Sequence, residues 1–110
     1  MPLPIGTWTF NQSGSLHPLQ INAVDVSGNV TGTLNGARIV GFWDEISQRL
    51  GFTAYVQTGV YTGFLFSDQN RMPGVAGGSV FTLVGVYYGG MVLADADRFA
   101  FGWYAQIGAS

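Results

Sequence analysis

"NVTGTLNGARIVGFWD", residues 29 to 44, holds two short β-rich runs, Asn29–Leu34 and Arg38–Asp44, on either side of Asn35-Gly36. Both central residues tolerate the positive φ that a two-residue hairpin turn demands, so this dipeptide between two such runs is a strong hairpin signal. Outward from it, turn chemistry returns every eight to twelve residues: "SGN" at 27 to 29, "SDQNRMPG" at 67 to 74 and "GGMVLADAD" at 89 to 97. That spacing belongs to all-β folds. The β-rich runs are Ile5–Phe10, Leu16–Val26, Asn29–Leu34, Arg38–Asp44, Arg49–Gln57, Val60–Phe66, Ser79–Tyr88 and Arg98–Ile107. The only stretch with any helical period is "WDEISQRL" at 43 to 50. Hairpin following hairpin predicts an eight-stranded antiparallel up-and-down β-barrel, because closure removes the exposed edges of such a meander. The 110 residues suit a single domain over residues 1 to 110.

Composition narrows the partners. Charged residues make up 9% of the chain against 47% hydrophobic and 15% aromatic, more apolar surface than a small monomer hides easily. Such a chain either spans a membrane or buries one sheet face inside and the other against copies of itself. No charge falls between Gly74 and Ala94, but the six glycines there and the β-branched, aromatic "SVFTLVGVYY" favour a strand over a membrane helix. We therefore expect no membrane span and a homo-oligomer, dimer or tetramer. A net charge of −2, with four scattered arginines and no lysine, argues against nucleic acid as a partner. Without cysteine there is no disulfide or thiolate site, and the compartment cannot be read from redox chemistry. "MPLPIG" has neither the basic segment nor the apolar run of a signal peptide.

Several ordered motifs carry a resemblance. "GTWTFNQSGS" at 6 to 15, "TGTLNG" at 31 to 36, "GFWDE" at 41 to 45, "LGFTAY" at 50 to 55 and "VYTGFLF" at 60 to 66 resemble the avidin and streptavidin family in order and approximate spacing. The likeness is strong over residues 6 to 66 and weaker beyond. It implies an avidin-like barrel, secreted as the family is, that binds biotin without catalysis and needs no cofactor. It also implies that Asn11 and Ser15 hydrogen-bond the ureido oxygen of biotin inside the barrel. The plainer reading of N-x-x-x-S is an Asx or Ser turn in which both side chains cap the backbone.

Other family positions depart from the pattern. Leu34 stands where the family has a tyrosine donor, Gly36 where it has a serine, Gly59 where it has a threonine, and Tyr104 where it has an aspartate. Phe52 and Tyr61 keep aromatic rings at two tryptophan walls, while Val84 and Ala96 do not. Each unpaired polar partner costs about 1–3 kcal/mol, so affinity or ligand preference should shift. The expected ligand-binding set is Asn11, Ser15, Phe52, Tyr61 and Tyr104, with Tyr104 supplying a hydroxyl or filling the pocket. The ligand is biotin or a smaller cyclic relative. The alternative is an avidin-like barrel that has lost its ligand and works as an oligomeric interaction module.

Enzymatic signals are thin. His17 is the only histidine and reads as a surface or edge side chain; Asp44-Glu45 and the pair Asp95 and Asp97 read as loop charges, and neither pair makes a good metal site. "GVAGGS" at 74 to 79 lacks the ending of a phosphate loop. Trp8 reads as a core plug at one end of the barrel and Trp43 as packing near a strand end. On the last run, Phe99, Phe101 and Trp103 share one face and Ala100, Gly102 and Tyr104 the other. Trp103 is placed there as the oligomer contact.

Overall fold

The structure is a computed structural model that describes residues 1–12, 14–54, 59–68, 79–89 and 100–109. Eight strands follow one another: β1 (Gly6–Gln12), β2 (Ser15–Val24), β3 (Asn29–Leu34), β4 (Ala37–Asp44), β5 (Arg49–Ala54), β6 (Gly59–Asp68), β7 (Ser79–Gly89) and β8 (Ala100–Ala109). Each pairs antiparallel with the next, and β1 pairs with β8 from Thr9↔Gln106 to Gln12↔Trp103, closing an up-and-down barrel. The expected fold is the observed one. Closure satisfies backbone donors and acceptors that two open edges would leave unpaired.

The turns form for the reasons their residues suggest. Asn35 takes φ 49° and Gly36 φ 84°, the left-handed pair of a tight hairpin, and they join β3 to β4. "WDEISQRL" is no helix: β4 runs through Asp44, a turn spans Glu45 to Gln48, and β5 begins at Arg49. The Asp44 carboxylate accepts from the Ile46 N–H at 3.2 Å and from Ser47 Oγ at 2.7 Å, which closes the turn before a helical hydrogen bond can propagate. The centre of the uncharged stretch from Gly74 to Ala94 is strand β7, and no helix among the described residues is long and apolar enough to cross a membrane.

Alternation then sorts side chains. Trp8 and Phe10 on β1, Leu19 and Ile21 on β2, Leu50 and Phe52 on β5, Tyr61 and Leu65 on β6, Leu83 on β7, and Trp103 and Ala105 on β8 are all buried. Together with Leu3, Val30, Ile39 and Trp43 they fill the barrel as one core. Trp8 is fully buried and donates its Nε1–H to the Pro4 carbonyl at 3.2 Å, so it takes the core role expected of it. Trp43 also lies in the core, near the end of β4, with its Nε1–H on Glu45 Oε1 at 3.0 Å.

A register shift between Ile21 and Ala23 adds one residue to β2 and reverses its alternation. The inward positions change from Leu19 and Ile21 to Val24, which pairs with buried Val30.

Candidate site at the barrel mouth

The ends of β1, β3 and β5 and the starts of β2, β4 and β6 meet at one end of the barrel, here called the mouth. Inward alternation brings specific polar groups there. On β1, Trp8 and Phe10 point inside, and Gln12 follows them by the period of two. On β2, His17 shares the face of Leu19 and Ile21 and lies opposite Phe10. Gln12 and His17, with Leu34, Asn35, Ala37, Ala54 and Tyr61, line a cavity of about 180 Å³. Ser15 is exposed and pairs in register with Gln12, but it does not line the cavity.

The cavity rests on an aromatic ladder. Phe52, Tyr61, Tyr87 and Phe101 occupy one register row across β5, β6, β7 and β8. The Phe52 and Tyr61 rings stack at 4.7 Å with planes 5° apart, and Tyr61 and Tyr87 stack at 4.5 Å. Phe10 meets Tyr61 edge-on at 5.9 Å and stacks on Trp103 at 5.1 Å. Such offset and edge contacts fix ring positions beyond what burial alone does. Burial pushes the Tyr61 hydroxyl up to about 12, so the phenol stays neutral at the pH of any ordinary ligand.

The five residues expected at the site do not converge. Phe52 and Tyr61 are inside and in contact. Asn11 is flanked by inward Phe10 and Gln12, so it faces outward, and Tyr104 lies beside it in register between buried Trp103 and Ala105. Asn11 Nδ2 donates to the Tyr104 hydroxyl at 3.3 Å, and Asn11 Oδ1 accepts from the Gly14 N–H at 3.0 Å. Thus Asn11 is a backbone cap, as the plainer reading of the motif has it, and Tyr104 neither fills the cavity nor lines it. Trp103 is likewise inside, with only 2% of its surface exposed, and donates to the Val86 carbonyl at 2.9 Å. It is Tyr104, not Trp103, that the last strand turns outward.

Gln12 and His17 are the cavity residues that sequence reasoning missed. A signal was available in Trp8: once it is placed in the core, every even position of β1 faces inward, including Gln12. Val84 faces outward, and Gly59 is buried against Tyr87, whose ring an added Cβ would strike. Ala96, Asp95 and Asp97, and nearly all of "GVAGGS", lie outside the described residues. Asp44 and Glu45 serve their own turn, and among the described residues no group of three or more His, Asp or Glu side chains is placed so that it could hold a metal ion.

The outer wall is asymmetric. From β1 to β5 it carries mostly threonines, amides and the arginines Arg38 and Arg49. Across β6, β7 and β8 the outward residues include Val60, Phe64, Phe66, Val84, Val86 and Tyr104, all exposed. Phe64, Val84 and Tyr104 form one register row, and no charge stands between residues 60 and 66, 82 and 86, or 102 and 106.

By architecture the chain belongs to the class of closed eight-stranded up-and-down barrels, a class compatible with both an avidin-like fold and the binding of a small ligand. No protein-family model matches it, and no curated protein matches it.

Proposed function

We propose that the chain is a non-catalytic, small-molecule-binding barrel that takes the ring system of biotin, or a smaller cyclic amide or urea, at its mouth. The observation that carries this reading is the cavity lined by Gln12, His17 and Asn35 together with Tyr61, whose ring stacks on Phe52. A few polar groups aimed into an apolar, aromatic-floored hollow are what orient a small polar ring. At about 180 Å³ the hollow lies below the roughly 300–1,000 Å³ that holds drug-sized molecules, which favours a compact ligand. Gln12 supplies both a donor and an acceptor, which suits a lactam or ureido edge.

Titration calorimetry with biotin, desthiobiotin and 2-imidazolidinone tests this on the wild type and on Gln12→Ala, His17→Ala, Ser15→Ala and Asn11→Ala. Loss of one buried polar partner should weaken binding about 5- to 150-fold for Gln12→Ala and His17→Ala. Asn11→Ala, on the outer wall, should leave affinity unchanged. Equal affinities in all variants would reject the assigned site.

The second reading is a barrel without a ligand that acts as an assembly module. It is favoured by the filled interior and by the apolar outer face of β6, β7 and β8, which a second copy would cover. Absence of heat with every ring ligand, together with self-association, would select it.

A further inference from the structure

The end of the barrel opposite the mouth carries a larger cleft, about 490 Å³, that the reading above does not use. Its floor is apolar: Leu3, Val24 and Trp43 belong to the core or pack against it. Its edge is formed by two turns, β2 to β3 and β4 to β5, and each is held shut by its own aspartate. Asp25 Oδ1 accepts from the Ser27 and Asn29 N–H groups, both at 2.9 Å, and Asp25 Oδ2 from Asn29 Nδ2 at 2.9 Å. Asp44 does the same for Ile46 and Ser47.

These closed turns present aliphatic side chains at their tips. Val26 and Ile46 are 107% and 96% exposed, both border the cleft, and neither contributes to the core. Turn tips ordinarily carry Gly, Asn, Asp or Ser, each for a conformational reason that valine and isoleucine do not share. Exposed Ile5 and Phe42 extend the same apolar border. A rigid pair of aliphatic tips over an apolar floor is suited to gripping an aliphatic side chain.

The charge of the cleft says which kind of segment fits. Asp25, Asp44 and Glu45, three of the six acidic residues in the chain, line it, and among the described residues no Lys or Arg lines it, Arg49 standing beside Asp44 in register. Hydrogen bonding to their turns holds the Asp25 and Asp44 carboxyls below their ordinary range, and hydrogen bonds from the Met1 ammonium and then from Trp43 do the same for Glu45, so all three are ionised near neutral pH. The Met1 ammonium rests on Glu45 Oε2.

We propose that this cleft is a docking site for a partner-protein segment in which large aliphatic residues alternate with lysine or arginine, the aliphatic groups seated between Val26 and Ile46 and the cation on the Asp25, Asp44 and Glu45 edge. The site is independent of the mouth, so both can be filled at once.

The test uses the full chain, ¹⁵N-labelled, and three acetylated, amidated peptides of sequence GLKLLKG, GLELLEG and GSKSSKG. The first should move the amide resonances of Val26, Ser27, Glu45 and Ile46 and leave Gln12 and His17 in place. The other two should bind at least about tenfold more weakly, because one meets like charge and the other lacks buried aliphatic area. Val26→Ser with Ile46→Ser, both at solvent-exposed tips, should weaken GLKLLKG about tenfold or more with no change in circular dichroism or melting temperature. Glu45→Gln should weaken it and flatten its salt dependence. Equal binding of the acidic peptide, no resonance shifts at millimolar peptide, or full affinity in the double variant would overturn the proposal. So would a concentration-dependent dimer of the unliganded chain that the double variant abolishes, since the occupant would then be a second copy. Loss of ring-ligand binding at the mouth leaves these shifts untouched, which separates the two tests.

Discussion

At the residue scale, the interior is organised around Trp103 and the glycines opposite it. One inward row runs Leu50, Gly63, Gly85, Trp103 and Gln12 across β5, β6, β7, β8 and β1. A Cβ added at Gly63 would stand 2.7 Å from the Trp103 ring, so the indole occupies the space that the glycine leaves empty. Gly63→Ala should therefore destabilise the fold by about 1–3 kcal/mol through overpacking. Trp103→Ala should cost about 3–5 kcal/mol by opening a cavity. Urea denaturation followed by tryptophan fluorescence and circular dichroism checks both, and the wild-type midpoint in Gly63→Ala would show that the indole has room to move. The pairing of a large ring with facing glycines was not legible in the sequence. "YTGF" and "LVGVY" show where glycines occur, but nothing local says that Gly63 and Gly85 share a row with a tryptophan from a third strand.

At the scale of elements, the strands were legible and the caps partly so. The run Asn29–Leu34 is β3 as read, and the others differ from the observed strands by one or two residues at their described ends, while residues 55–57 and 98–99 of the expected runs lie outside the described residues. The sequence marks turns through Gly, Asn and Asp but not which carboxylate closes which loop. The Asp25 carboxylate closes the β2 to β3 turn through three hydrogen bonds, beside the backbone bonds of Asp25 with Gly28 and Asn29. Its folded pKa is depressed below the ordinary 3.8 by those bonds, led by the Asn29 side chain. A depressed carboxylate stabilises the fold fully above its unfolded value and loses that contribution as the pH falls through the folded one. Asp25→Ala should thus lower the melting temperature near neutral pH, and the gap to wild type should close as the pH drops well below 3.8. A gap independent of pH would mean that the side chain acts by something other than its charge.

At the scale of the whole molecule, the barrel has two different outer halves. The apolar half, on β6, β7 and β8, has Phe64, Val84 and Tyr104 abreast and no charge among its outward neighbours from residue 60 to 66. Exposed apolar patches of this kind usually mark an interface. Burying it against a copy of itself gives an isologous contact in which Val84 of each chain lies near the centre. Val84→Arg places a charge there while leaving the interior row intact. Light scattering coupled to size exclusion should find the wild type associated and Val84→Arg monomeric, with the same circular dichroism spectrum. A wild type that is monomeric at high concentration would remove self-association from the account.

What the sequence determined by itself is the class of fold: short alternating runs, turn residues at near-regular intervals and Asn35-Gly36 leave a hairpin chain with few options but closure. What tertiary structure decided is the side each residue faces. A strand has two faces related by a shift of one residue, so local pattern supplies the alternation without its sign. The sign came from long-range register. Pairing of Gln12 with Trp103, and the indole seated over Gly63, set β1 and β8 so that Asn11 and Tyr104 turn outward while Gln12 turns in. The extra residue in β2 then brings Val24 to the far cleft. A motif five residues long cannot carry that information, because the contacts that fix it come from strands about ninety residues away.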